Sequence, residues 1–427
     1  MIIIQINVVD AIMGKGKTNL IKQMINDEYK DGYSNKKYIF VTPFLKQIED
    51  EENKTGIITE CPNARFKQPK HLGKGKLDNL HRLIINNENI AMTHTLFTYA
   101  TQQTYDLLRI NEYIIIIDEV IQLVDTTALS VSDYDMLIST NTIKVNEYKE
   151  IIWLDDEYIG VFEYLKELCK RGTVVESVRK KAKINNKKKK KDEEFVQLLV
   201  WNLNPDIFKL HTNDIYILTY LFEGSYMYLY FLNHEIKYKK LTIKNNNLVP
   251  FSSYPDNDKN DKKNLKKLVN IYEGKLNNIG DYEYALSKSW FDERKNKILV
   301  TQLQKNIYNF FRNVHSCKSD EIIWTTFKDY KNKLKGKGYT NGFVQCAEKG
   351  SNEYGDKKYI AYCCNRFFHP DDITYFSKKN IAVEDEVWAL SEMIQFIWRS
   401  AIRNDQEIYL YIPSKRMRNM FKNWLNN

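Results

Sequence analysis

A short glycine- and lysine-rich stretch directly follows the first apolar run of the chain. The run ends at Asp10, and the sequence AIMGKGKT at 11–18 comes next. This is the pattern of a phosphate-binding loop with alanine in place of the first glycine, because a buried strand, a tight turn and a helix start follow in the required order. We predict that Lys17 contacts the β- and γ-phosphates of a nucleotide and that the Thr18 hydroxyl binds Mg²⁺.

A second motif, an apolar run that ends in two acidic residues, comes about 100 residues after this loop. The sequence YIIIIDEV at 113–120 is a run of strand formers that ends in Asp118 and Glu119. In a protein with a phosphate-binding loop, an acidic residue at the tip of an apolar strand holds Mg²⁺. We therefore assign Asp118 as a metal ligand and Glu119 as the base that polarises the attacking water.

Length and composition indicate a folded protein without membrane contact. The chain has 427 residues, of which 43% are hydrophobic, and its length favours about two to three domains. Its longest apolar runs, such as 114–117, are far too short to span a bilayer, and we expect no signal peptide. The six cysteines lack zinc-ligand spacing, so we expect free thiols in a reducing cytoplasm, which is the host cytoplasm if a phage encodes the chain.

The charge balance favours a polyanionic partner. Lysine and arginine number 64 against 55 acidic residues, and the net charge is +9. The run RKKAKINNKKKKK at 179–191 contains nine basic residues and no acid. Two interpretations of this run stay open, namely a solvated loop and an electrostatic contact to a phosphate backbone.

The order of predicted elements divides the chain into two α/β halves. We predict a first domain at 1–235, with a helical, basic insertion at approximately 124–205, and a second domain at 236–427. Apolar spacing predicts a helix at 158–170 within the insertion, and aromatic residues predict a strand at 228–231. The polar segment Ser252 to Lys267 is typical of a linker between domains.

Further motifs occur in a recognisable order along the chain. They are VTPF at 41–44, MTHTLF at 92–97, LTYLFEGS at 218–225, GSNEYGD at 350–356 and QFIWRSAIR at 395–403. Together with AIMGKGKT and DEVI at 118–121, these motifs resemble those of superfamily 2 helicases and translocases, especially the compact DEAD/DEAH-like enzymes of bacteriophages. The resemblance covers most of the chain except 123–205.

The resemblance implies an α/β fold with two RecA-like P-loop domains, each built on a parallel sheet, that enclose ATP and Mg²⁺. It implies catalytic roles for Lys17, Asp118, Glu119, Gln395, Arg399 and Arg403. Nucleotide contacts would come from Ala11, Met13, Gly14, Lys15, Gly16, Lys17, Thr18, Asn19, Gly350 and Asn352. The nucleic-acid contacts would come from Thr42, Pro43, Phe44, Thr93, His94 and Thr326.

Some of these assignments carry open alternatives. Trp398 replaces the usual glycine of the last motif, and Arg403 stands eight residues after Gln395 instead of seven, so either Arg399 or Arg403 can be the arginine finger. His94 can face nucleic acid or be a satisfied structural histidine.

The function that the resemblance implies is ATP-driven movement on, or unwinding of, nucleic acid in phage replication or recombination. DNA is the favoured partner, single-stranded or forked, together with replication or recombination proteins. One alternative is a P-loop ATPase that acts as a switch, loader or regulatory module. Another is a nucleic-acid-binding protein with a relict ATP site.

Overall fold

The computed structural model describes residues 6–186, 189–209, 214–253, 258–346 and 353–427 of a mixed α/β protein. The strands are β1 (Ile6–Asp10), β2 (Lys37–Thr42), β3 (Ile90–Thr93), β4 (Tyr113–Asp118), β5 (Val124–Ser130), β6 (Ile143–Val145), β7 (Glu150–Trp153), β8 (Thr173–Asn186), β9 (Lys189–Trp201), β10 (Ile215–Thr219), β11 (Lys239–Lys244), β12 (Asn247–Pro250), β13 (Val269–Ile271), β14 (Ile322–Thr325), β15 (Tyr359–Tyr362) and β16 (Ile408–Tyr411).

The helices alternate with the strands in both halves of the chain. They are α1 (Lys17–Glu28), α2 (Leu45–Ile48), α3 (Ile57–Glu60), α4 (Lys76–Ile85), α5 (His94–Thr98), α6 (Gln102–Asn111), α7 (Val131–Ser139), α8 (Glu163–Arg171), α9 (Tyr226–Asn233), α10 (Lys259–Leu268), α11 (Lys288–Asp292), α12 (Lys297–Tyr308), α13 (Lys331–Leu334), α14 (Pro370–Lys378), α15 (Asp385–Ile397) and α16 (Lys415–Asn426). Among the described helices, none combines the length and the apolar character that crossing a bilayer requires.

The first sheet places the predicted loop and the predicted acidic strand close together. Its strand order is β12-β11-β1-β10-β4-β2-β3, and every described pairing is parallel except that of β11 with β12. β1 and β4 flank β10, so the loop after β1 and the acidic pair after β4 lie at one carboxyl edge. This is the edge where open α/β sheets bind ligands.

The second sheet is smaller and entirely parallel within the described chain. Its order is β13-β16-β15-β14, with β15 and β16 buried at its centre. A core of aromatic side chains covers one face, where Trp324, Phe310 and Tyr411 are fully buried. The parallel sheets agree with the predicted α/β class.

The insertion is built mainly from strands, so the prediction of a helical insertion is wrong. The antiparallel sheet β5-β9-β8-β7-β6 forms its centre, and β8 pairs with β9 over most of their length. Only α7 and α8 in this part of the described chain are α-helices, and α8 covers the end of the predicted helix at 158–170. Alternating apolar residues such as Val196, Leu198 and Val200 face the core of this sheet.

Two other local predictions differ from the structure. The aromatic run at 228–231 lies in α9 rather than in a strand, because Met227, Tyr230 and Phe231 are buried together on a helix. The predicted end of the first domain at residue 235 also differs. β11 pairs directly with β1 and β12 pairs with β11, so the first sheet extends as far as Pro250.

The two parallel sheets share one hydrophobic core. A continuous cluster of buried side chains includes Val8 from β1, Ile360 from β15 and Ile394 from α15. The halves approach closely at Gly224, where an added Cβ would lie 2.7 Å from the backbone carbon of Val387. The second half is therefore packed directly on the edge that carries the predicted nucleotide site.

Candidate nucleotide site

The loop after β1 adopts the backbone that a phosphate cradle needs. Gly14 and Gly16 have positive φ angles of 78° and 79°, a conformation that glycine reaches without steric cost. α1 begins at Lys17, directly after the loop. The N–H of Ala11 donates to the Thr219 carbonyl oxygen at 3.1 Å, which fastens the loop to the end of β10.

The Lys17 amine points back into the loop. It donates to the carbonyl oxygens of Ala11 at 2.5 Å and Ile12 at 3.2 Å. Burial lowers the pKa of Lys17 to about 8, although the nearby carboxylates of Asp10 and Asp118 raise it. The sequence therefore brings a desolvated cation to the place where the terminal phosphates of a nucleotide would sit.

The predicted metal ligands are in direct contact. The Thr18 hydroxyl donates to Asp118 Oδ1 at 2.9 Å, which joins the start of α1 to the end of β4. Burial raises the pKa of Asp118, opposed by its hydrogen bond from Thr18. A hydroxyl and a carboxylate are hard oxygen donors, and Mg²⁺ at phosphate sites takes few protein ligands beside waters and phosphates. These two side chains therefore fit a magnesium site.

Glu119 occupies an unusual backbone position. Its φ is 65°, and its N–H donates to the Leu218 carbonyl oxygen at 3.0 Å. Left-handed backbone at a residue other than glycine costs free energy and concentrates at functional sites. The chain therefore turns away from the direction of β4 at Glu119, whose side chain is half-buried.

His94 contacts the acidic strand rather than the surface. Its buried ring nitrogen Nε2 lies 2.9 Å from the Asp118 carbonyl oxygen. Of the two interpretations from the sequence, the satisfied structural histidine is the one that this geometry supports. His94 therefore links β3 and α5 to the position of the metal-ligand strand.

The last motif reaches the loop through its tryptophan. The Trp398 ring lies against Gly14, where an added Cβ would be 2.8 Å from the ring. Next to it, Arg399 is buried, donates to the Gln345 carbonyl oxygen at 3.1 Å and lies over the Phe396 ring. The structure therefore brings the segment with the candidate arginine finger to the predicted nucleotide loop.

Gln395 and Arg403 flank this contact. The Gln395 amide donates to the Ser391 hydroxyl at 3.3 Å, one turn earlier on α15. Arg403 lies half-buried in a short 3-10 helix at 401–404, and burial lowers the pKa of its guanidinium.

The predicted nucleic-acid contacts are divided by their exposure. The side chains of Thr42 and Thr326 are fully buried, and the Thr42 hydroxyl donates to the Gln47 side chain. These two threonines and His94 are buried, and their assignment as nucleic-acid contacts stays a prediction. Half-buried residues from the same set are Pro43, Phe44 and Thr93.

The remaining predicted nucleotide contacts also differ in position. Met13, Lys15 and the exposed Asn19 lie on the loop and the start of α1. Gly350 and Asn352 lie outside the described residues, as do the side chains of most of the basic run at 179–191.

Sequence reasoning missed the role of Asp10, which precedes the loop. Its buried carboxylate accepts the N–H groups of Leu221 at 2.9 Å and Phe222 at 3.1 Å, and it lies 3.1 Å from the Lys240 amine. Asp10 thus joins β1 to the turn after β10. Its place at the end of an apolar run was the available signal, because a buried carboxylate requires partners.

A second missed contact joins the two halves. The Trp424 indole N–H donates to the Tyr220 hydroxyl at 2.8 Å, which connects the turn after β10 to α16. Tyr220, within the motif LTYLFEGS, thus takes part in a hydrogen bond between the two halves.

Comparison with protein families gives two matches within the chain. Residues 263–425 match the model of the YonV C-terminal Rossmann-like domain, and residues 124–180 match that of the YonV middle domain. The chain is 38% identical over 439 residues to the SPbeta prophage-derived uncharacterized protein YonV of Bacillus subtilis (strain 168), with 99% of each chain covered.

Comparison with solved structures gives only distant similarity. The DUF1998 helicase MrfA bound to DNA and AMPPNP is 11% identical with a TM-score of 0.33, and 99% of this chain and 48% of that chain are covered. The same helicase bound to DNA gives 9% identity, a TM-score of 0.30, and coverage of 96% and 44%. The chain thus spans less than half the length of these helicase structures.

Proposed function

The chain belongs to the YonV family, and from that premise and the geometry of its nucleotide site we propose that it is an ATP-dependent nucleic-acid translocase or helicase, with DNA as the favoured partner. The observation that carries the proposal is the contact of Thr18 with Asp118 beside the Lys17 amine, in a loop whose Gly14 packs against Trp398 from the second half. The proposal is supported by the proximity of the glycine-rich loop, the Thr18–Asp118 pair and the segment that carries Arg399.

In the proposed reaction, each half of the chain has its own task. The loop N–H groups and Lys17 bind the phosphates, and Glu119 orients the attacking water. Mg²⁺, held by Thr18 and Asp118, would supply positive charge to the phosphate oxygens. Arg399 or Arg403 would neutralise the charge that develops on the transferred phosphoryl group.

Movement would follow from differential affinity. A nucleotide that contacts both RecA-like lobes favours their closed arrangement, and hydrolysis followed by release favours the open one. Contact with the nucleic-acid backbone by each lobe would convert opening and closing into displacement along the strand, with strong dependence on salt concentration.

ATP turnover with and without single-stranded DNA, duplex DNA and RNA tests the proposal. We expect turnover to be stimulated by DNA and to fall at least about 100-fold in Lys17→Ala, because the variant lacks the cation that contacts the terminal phosphates. Lys30→Ala, which removes an exposed lysine just beyond α1, is the matched control and should keep full turnover. Absence of turnover in the wild type under all these conditions would refute the proposal.

A specific observation favours a second candidate, a P-loop ATPase that acts as a switch, loader or regulatory module. The side chains of Thr42, His94 and Thr326, which the resemblance assigns to nucleic acid, are buried. Turnover that is indifferent to every nucleic acid tested would favour this candidate over the translocase.

A further inference from the structure

The start of α10 lies directly against the nucleotide loop. The Lys15 amine is 2.6 Å from Asp261 Oδ2, and about a third of each side chain is exposed to solvent. Asp258, which precedes the first residue of α10, lies near the Tyr220 hydroxyl, and burial raises the pKa of its carboxyl. Its charge is near enough to the Lys17 amine to favour the protonated form of that lysine. One carboxylate of this short segment therefore pairs with Lys15 of the loop, and a second lies close enough to influence the charge of Lys17.

The position of α10 in the chain gives these contacts significance. β12 ends the first sheet at Pro250 and β13 begins the second at Val269, so α10 lies in the connection between the sheets. Its other contacts are with the second half, where Leu265 joins the shared core and the Lys262 amine lies over the Trp424 ring at 5.5 Å. One end of the connecting helix thus touches the loop while its body packs on α16.

We propose that Asp261 competes with the phosphates of the nucleotide for Lys15, while Asp258 adds negative charge near the loop, so that binding displaces the start of α10. The inference rests on the proposed nucleotide-binding function and adds to it a positioning role for the connection between the halves. Carboxylates and phosphates carry the same sign of charge, and close approach of the two to one amine is mutually unfavourable. A phosphate bound at the loop therefore weakens the contact that fixes α10.

The strength of the competition is limited by exposure. An ion pair that is partly open to solvent contributes little, so the nucleotide, with several charges and the loop N–H groups, prevails at ordinary concentrations. Displacement of the start of α10 also affects how the two halves are held together. Because the body of α10 is packed on α16, release of its first turn changes the restraint between the first and second sheets.

Equilibrium binding of a fluorescent ATP analogue to the full chain tests the proposal. We expect Asp261→Asn to bind about two- to fivefold more tightly than the wild type, and the double variant D258N/D261N more tightly still. Asp320→Asn, an exposed aspartate elsewhere in the second half, is the matched control and should bind as the wild type does. Unchanged or weaker binding by Asp261→Asn would overturn the proposal.

A double-mutant cycle with Lys15 separates the ion pair from a general change in charge. In Lys15→Ala, the additional Asp261→Asn change should no longer tighten binding, because the partner of the carboxylate is gone. Equal tightening in both backgrounds would contradict the proposed contact. Circular dichroism of each variant checks that it is folded.

The two proposals fail in different ways. If neither the wild type nor any variant binds the analogue, the nucleotide-binding function itself is refuted. If the wild type binds and Asp261→Asn binds equally well, only the role of α10 is refuted. If Asp261→Asn binds the analogue and the wild type shows no detectable binding, the result supports the competition.

Discussion

At the scale of single residues, the site depends on a cation that is expensive to bury. The Lys17 amine donates to two carbonyl oxygens of the loop, and burial lowers its pKa to about 8 even though the nearby carboxylates favour its charged form. Charged Lys17 is the form that attracts phosphate, so the protonation state of one side chain limits the affinity of the whole loop.

We predict that affinity for ATP falls as the pH rises through 8. Between pH 7 and pH 9 the protonated fraction of Lys17 drops about tenfold, and affinity should drop by up to that factor if the bound state keeps the charge. Binding titrations at several pH values measure the effect. Lys17→Arg keeps its charge over this interval and should show a nearly flat profile; a flat profile in the wild type would contradict the prediction.

Residues in a continuous motif could be predicted from the sequence, and residues that depend on distant contacts could not. The sequence marked the loop with Lys17 and Thr18 and the strand end with Asp118 as two separate motifs. They come together because β1 and β4 flank β10 and end at the same edge of the sheet. Thr326 also follows a strand, but its burial depends on elements that pack over it from elsewhere in the chain. The partner of Asp10 likewise lies more than 200 residues away.

At the scale of elements, the insertion is joined to both halves. It leaves the first sheet after β4 and returns at β10, which are neighbouring strands. At its other side, Glu150 of β7 accepts a hydrogen bond from Tyr375 at 2.8 Å and pairs with Lys379, at the end of α14. The Ser177 hydroxyl of β8 donates to Asp371 of the same helix.

The Glu150 contact gives a prediction for stability. Burial alone would raise the pKa of Glu150, but hydrogen bonds from Lys379, Asn146 and Tyr375 lower it below its ordinary value of 4.5. We expect Glu150→Gln to reduce the free energy of unfolding by about 1–3 kcal/mol at pH 7, because it leaves Lys379 without its charged partner.

The sign of the pH dependence follows from linkage. Since the folded pKa is lowered, the stabilisation by Glu150 is fully present above pH 4.5 and is lost as the pH falls through the folded pKa. The difference between wild type and Glu150→Gln in denaturant unfolding should therefore shrink in acid. Glu147→Gln, an exposed neighbour, is the control; identical unfolding of wild type and Glu150→Gln at pH 7 would contradict the prediction.

The elements that the sequence mispredicted are those in which local preference and packing disagree. The aromatic run at 228–231 has the composition of a strand but forms α9, because tertiary packing of Tyr230 and Phe231 outweighs a weak local preference. In the insertion, the spacing of apolar residues predicted a helix at 158–170, and the structure has one from Glu163 to Arg171. The surrounding β5–β9 sheet was missed for two reasons. The lysine-rich run at 179–191 interrupts the apolar pattern of the β8–β9 hairpin, and β5 pairs with β9 from more than 60 residues away.

At the scale of the whole molecule, the two parallel sheets are parts of one body. The hydrophobic core that joins them extends from β1 to α16. The Tyr220–Trp424 hydrogen bond and the close approach of Gly224 to Val387 lie along the same boundary. Loss of either half therefore exposes apolar surface of the other.

We predict that thermal unfolding proceeds in one cooperative transition and that a non-hydrolysable ATP analogue shifts all of it upward. At 100 times its Kd, a ligand that binds only the folded state adds about 2.7 kcal/mol of stability. Differential scanning calorimetry measures both properties, and Lys17→Ala should melt without a ligand-dependent shift. Two separate transitions, of which the analogue moves only one, would contradict this prediction.

Because β7 and β8 contact α14, the two halves of the molecule are joined by two separate sets of contacts. One path of contacts runs from the first sheet through Trp398 into the second half, and another returns through α14 and the insertion. If the two halves separate at the Trp398 contact, the insertion or its contact with α14 must therefore bend or slide. The antiparallel sheet of the insertion would then limit how far the two halves can separate during each round of ATP hydrolysis.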